Sequence, residues 1–158
     1  MRRLSAVLVG LAMAACASSG EGVDVAKPAP TDALAYVPQS GLGPQELVPG
    51  ECGLFLWSKT DPSKFIFFTK AVSGRALLSH QDSALALSQT EAGGTIFGQF
   101  NTRVSYMTET GMQIALVVTP GDDLEGGQRI ESGLITMTDT DGWQTKLPVL
   151  GVRACQTE

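Results

Sequence analysis

From residue 51 onward the sequence predicts an all-β domain, a small antiparallel barrel or sandwich of about eight strands. Two observations carry this. Short runs of β-branched, aromatic and aliphatic residues recur at strand-like spacing, and turn-forming residues close each run. A third observation favours the barrel. Cys52 and Cys155 stand in the first and last runs, so a bond between them would lay the terminal strands side by side and remove the exposed edges of the sheet.

The predicted strands are Gly53 to Ser58, Lys64 to Val72, Arg75 to His80, Ala84 to Thr90, Thr95 to Met107, Gln113 to Thr119, Arg129 to Thr138 and Gln144 to Ala154. Asp61-Pro62, Ser73-Gly74, Gln81-Asp82, Gly93-Gly94, Gly111, the Gly-rich stretch Pro120 to Gly127 and Asp141-Gly142 separate them as turns or loops. Residues 76–88 have the Ala and Leu content of a helix, yet Leu85 and Leu87 alternate with Ala84, Ala86 and Ser88, which is the period of a strand. In the fifth run Ile96, Phe100, Val104 and Tyr106 are expected on one face, with Phe97 breaking the alternation. Met112, Ile114, Leu116 and Val118 alternate with Gln113, Ala115, Val117 and Thr119, as in a sheet packed mainly on one side.

Upstream the character of the chain changes. Arg2 and Arg3 precede an apolar run from Leu4 to Met13 that is too short to span a bilayer, and Ala14-Ala15 supply the small residues of a processing site. Met13-Ala14-Ala15-Cys16 resembles the lipobox of bacterial lipoproteins, although Met13 stands where Leu is usual. The resemblance implies lipidation of Cys16 after removal of residues 1–15. Because Ala17 is not Asp, it further implies the periplasmic face of the outer membrane. Several acyl chains, at about 0.8 kcal/mol per buried methylene, would anchor a water-soluble fold stably. The alternative is ordinary cleavage nearby, leaving a secreted or periplasmic soluble protein.

Three domains of sequence follow: the leader 1–15, a lipid-anchor cysteine and Pro-rich linker 16–50, and a single domain 51–158. Pro28, Pro30, Pro38, Pro44 and Pro49 keep helices and strands short in the linker and favour an extended spacer. Leu34 to Val37 and Leu47-Val48 are apolar enough to dock on the domain. The chain has three cysteines; with Cys16 lipidated, Cys52 and Cys155 are left to pair in an oxidising compartment. In the chain-entropy treatment a loop of about 100 residues is worth up to about 4.7 kcal/mol.

The formal charge is -5, and loss of Arg2 and Arg3 makes the chain more acidic. Nucleic acid is disfavoured, since Lys59, Lys64, Lys70, Arg75 and Arg103 are scattered among acids rather than clustered. The expected partners are the bilayer, through the anchor, and an envelope protein. No cofactor, catalytic group or metal site is expected. His80 is the single histidine, with Ser79, Asp82 and Ser83 nearby, but no strained G-x-S-x-G turn presents a nucleophile. Asp139-Thr140-Asp141-Gly142 matches only the start of a calcium loop, and an Asp-Gly turn explains it.

Two binding candidates remain. Phe55, Trp57, Phe65, Phe67 and Phe68 load both faces of the first two strands, so some must lie outside the core, either as a contact face around Trp57 or beneath residues 34–48. Asp122, Asp123 and Glu125 form an acidic cluster. In size, anchor and cysteine placement the layout resembles, in plan only, the periplasmic lysozyme-inhibitor lipoproteins. That resemblance implies an acidic loop inserted into the cleft of a cationic cell-wall hydrolase. The expected function is thus a non-enzymatic binding or structural domain of the envelope, with a hydrolase inhibitor or a soluble enzyme as the alternatives.

Overall fold

A computed structural model describes residues 40–157. The leader, Cys16 and Leu34 to Val37 lie outside the described residues. Eight strands follow in order: β1 Cys52–Ser58, β2 Phe65–Lys70, β3 Arg75–His80, β4 Ser83–Phe97, β5 Phe100–Met107, β6 Gln113–Leu124, β7 Gly127–Thr138 and β8 Gln144–Cys155. Each pairs antiparallel with the next, and β8 returns to β1, so the sheet is a closed barrel rather than a sandwich. Cys52 and Cys155 are direct register partners in that seam and form a disulfide that closes 103 residues of chain.

The strands alternate because their inner positions fill the barrel. Leu56 pairs with Phe67, Phe67 with Leu78, Leu116 with Ile135 and Ile135 with Leu147, one row after another on the inner face. All six are essentially inaccessible to water. Complete burial of each such side chain stabilises the fold by about 1.5–3 kcal/mol. Lys70, Arg103, Arg129 and Lys146 occupy outer positions. Apolar inside with charges outside is the pattern of a barrel bathed in water, the reverse of a lipid-spanning one.

Two local expectations change. The predicted turn at Gly93-Gly94 and the single strand Thr95 to Met107 are replaced by one long β4 that passes through residues 93 and 94 on a bulge, and a two-residue turn at Gly98-Gln99. Gly98 has φ +58°, which a Gly-X hairpin turn needs at its first position. The turn divides the predicted strand into two legs. Phe97 and Phe100 therefore pair across the hairpin and both face the core, with Val104 and Tyr106 on the same inner side, while Ile96 points out at 71 % exposure. The second change is at Pro120 to Gly127. This stretch is not a loop but a bulged continuation of the hairpin, with Asp123 paired to Gln128 and Leu124 to Gly127.

Candidate functional site

On the outer face of β1 and β2, Phe55 stacks against Phe65 at 5.9 Å between ring centroids and meets Phe68 at 4.9 Å, while Trp57 lies 5.1 Å from Phe65. Phe67 alone among these phenylalanines turns inward, edge-on to Tyr106. The alternation of a strand places neighbouring aromatics on opposite faces, so a run of four bulky residues must load both.

The segment from Ser40 to Val48 runs over this aromatic wall. Leu42 donates its backbone N–H to the Phe65 carbonyl at 2.6 Å, and the Ser79 hydroxyl donates to the Ser40 carbonyl at 2.8 Å. The Ser40 N–H donates to Asp82 Oδ1 at 3.0 Å. Further along, Leu47, Phe55 and Phe68 converge above Gly53, where a Cβ would stand 3.0 Å from the Leu47 methyl and 2.8 Å from the Phe55 ring. Gly53 thus provides the space in which these side chains meet. Docking leaves Phe68 buried and Phe55, Trp57 and Phe65 half-buried. The last part of the linker is therefore a strap on the barrel; of the apolar pair expected to dock, Leu47 does so and Val48 stays exposed at 57 %.

The same contacts dispose of the serine–histidine grouping. Ser79 and His80 are consecutive in β3 and point to opposite faces. The Ser79 hydroxyl and the Asp82 carboxylate are both engaged by the strap, and Ser83 Oγ donates to the His80 carbonyl. Gln81 and Asp82, at φ 46° and 61°, form the tight turn between β3 and β4. Partial burial holds the His80 imidazole below the ordinary histidine range. Asp139 Oδ1 accepts the backbone N–H groups of Asp141 and Trp143, so the calcium-like residues cap their own turn. Among the described residues no three metal-ligating side chains converge.

Asp122, Asp123 and Glu125 are all exposed on the β6–β7 hairpin. β5 pairs with β6 only as far as Val117, so Val118 to Leu124 is held on one side alone, by β7. Glu51 lies elsewhere, beside Lys70 at 2.6 Å, and that hydrogen bond holds its carboxyl below the usual range. Tyr106, buried in the barrel, has its phenol pushed up to about 12 by desolvation, against a smaller opposing effect of a hydrogen bond with Thr69.

Two residues of note escaped sequence reasoning. Trp143, 77 % exposed, projects from the β7–β8 turn, and its place directly after Asp141-Gly142 was the available signal. Arg153 lies on an inner-facing position of β8; its spacing from Leu147, Val149 and Gly151 was the available signal, but only the closed barrel shows what surrounds it.

These features define a class by architecture: a small, disulfide-closed, eight-stranded meander barrel with a strapped aromatic wall and a projecting acidic hairpin. No family model, curated protein or solved structure matches the chain.

Proposed function

We propose that this chain is a lipid-anchored protein of the bacterial envelope whose barrel serves as a rigid, non-enzymatic binding module for a basic partner. The observation that carries the reading is the β6–β7 hairpin, which exposes three carboxylates and is held on one side only beyond Val117. The anchor rests on the leader and on Met13-Ala14-Ala15-Cys16, and a Cys52–Cys155 bond is at home in an oxidising compartment.

The strap supports this arrangement. Ser40 is fastened at the β3–β4 turn, whereas the β6–β7 hairpin belongs to the opposite rim in an up-and-down barrel. Chain arriving from residue 39 therefore meets the barrel at one rim and leaves the acids free at the other. Among basic partners a cationic cell-wall hydrolase is the preferred one, because acidic side chains on a narrow projection suit a cleft lined by positive charge.

Intact-mass measurement of the chain made in a bacterial host is expected to show diacylglycerol on Cys16 and no free thiol. The full chain should then slow a cationic cell-wall hydrolase. Replacing Asp122→Asn, Asp123→Asn and Glu125→Gln together should weaken that inhibition about tenfold at low salt, the effect fading as ionic strength shortens the screening length to about 8 Å at 0.15 M. Lack of inhibition across a panel of such enzymes, or a triple variant as potent as the parent, would sink the partner assignment.

A further inference from the structure

Arg153 is a cation at a position where the fold calls for apolar side chains. It follows Leu147, Val149 and Gly151 along the inner face of β8 and pairs in register with Leu54 on β1 and Gln128 on β7. Its Nε is shut off from solvent and has no hydrogen-bond partner. Nη1 reaches only Cys155 Sγ, at 3.5 Å, and sulfur is a weak acceptor. No carboxylate among the described residues lies within ion-pair distance. The β4–β5 turn lies beside the guanidinium, where a Cβ on Gly98 would stand 2.9 Å from Nη1.

The guanidinium keeps its charge, and Arg153 as a whole is half-buried, so an anion at its side would offset a partial loss of hydration that no counter-charge now balances. An oxyanion supplies what is missing: its oxygens accept from N–H donors in the fork geometry that arginine presents, with charge-assisted strength. Gln128 stands beside Arg153 on the same face. Its amide nitrogen donates to the Gly121 carbonyl at 3.2 Å and retains a second hydrogen for a ligand. Asp123, the register partner of Gln128, lies one strand further along, and no ion pair joins it to Arg153.

We propose that the barrel mouth framed by Gly98, Gln128 and Arg153 binds the carboxylate or phosphate group of a ligand, with Arg153 as its principal donor. This site is separate from the exposed carboxylates of the hairpin tip, and it stands or falls independently of them.

The test follows the Arg153 Nε–H resonance of the full chain, identified by its loss in Arg153→Met, during titration with sodium acetate, inorganic phosphate and vesicles of phosphatidylglycerol. A saturable shift with acetate or phosphate, not reproduced by chloride at equal ionic strength, is expected and marks a free anion. A shift with vesicles alone marks a lipid headgroup. Gln128→Leu should weaken binding about fivefold, the worth of one neutral hydrogen bond. It keeps the assay informative if Arg153→Met fails to fold, since the resonance can then be identified by selective arginine labelling. A resonance unmoved by all three probes, or moved equally by chloride, overturns the proposal.

Discussion

Two stretches of the outer wall carry apolar side chains and meet different fates. Over β1 and β2 the aromatic cluster is roofed by Ser40 to Val48, and Phe68 keeps only 6 % of its surface. Over β6 and β7, Val117 and Leu134 are direct register partners facing outward, and they remain 44 % and 37 % exposed. The strands alternate in both places, so alternation alone does not say which outer face is structural. The distinction comes from chain supplied by another part of the sequence, which buries Phe68, half-covers Phe55, Trp57 and Phe65, and leaves the second wall as surface.

The sharpest way to break this comparison is to remove apolar bulk from each outer wall. Phe68→Ala, on the roofed wall, should cost about 3–5 kcal/mol because transfer and cavity effects add. Val117→Ala on the open wall should stay within about 0.5 kcal/mol, as surface substitutions do. Denaturant unfolding of both variants measures the contrast, and near-equal losses would mean that Val117 is covered in solution.

Alkaline pH gives the next largest effect, and it reports on the interior beneath both walls. The Tyr106 phenol titrates at about 12 when folded and near 10 when unfolded. Its contribution is therefore complete below pH 10 and is lost as pH rises toward 12, reaching about 2–3 kcal/mol at full titration. Stability measured from pH 9 to 12 should fall more steeply in the parent than in Tyr106→Phe. His80 works in the acid direction with a smaller effect: its folded pKa is depressed, so stability present above pH 6.5 declines as pH falls below that value.

The smallest of these effects isolates the strap. Ser79→Ala deletes the hydroxyl that holds the Ser40 carbonyl and should cost about 1 kcal/mol. Its distinctive readout is local: faster amide exchange at Leu42 and a shift of tryptophan emission as Trp57 gains water, with the barrel's own amides still protected. Uniform loss of protection across β1 to β8 would show instead that strap and barrel unfold as one unit.

Much of the architecture could be read from local chemistry. Strand periodicity and turn residues led to eight strands, and the positions of Cys52 and Cys155 pointed to the β1–β8 seam that closes the barrel. The misplacement of the fourth turn shows where that reasoning ends. Gly93-Gly94 and Gly98-Gln99 are both good turn sequences, and the choice went to the pair that brings Phe97 and Phe100 together in the core, leaving Gly93-Gly94 as a bulge. Pro120 to Gly127 has loop composition, yet pairing with β7 holds most of it in a hairpin. Of the candidate sites, the acidic triplet was visible because charge clusters are visible in any sequence. Arg153 was not singled out, because an arginine on an alternating strand looks ordinary until the barrel closes around it.

By itself, then, the sequence determined the fold class and the seam, since each rests on residues adjacent in the chain or on one pair of cysteines. Tertiary structure decided which apolar face is roofed, which glycine pair turns and which cation is drawn partly out of water. Those outcomes depend on contacts between segments distant in sequence, where burial and register, rather than local preference, set the free energy.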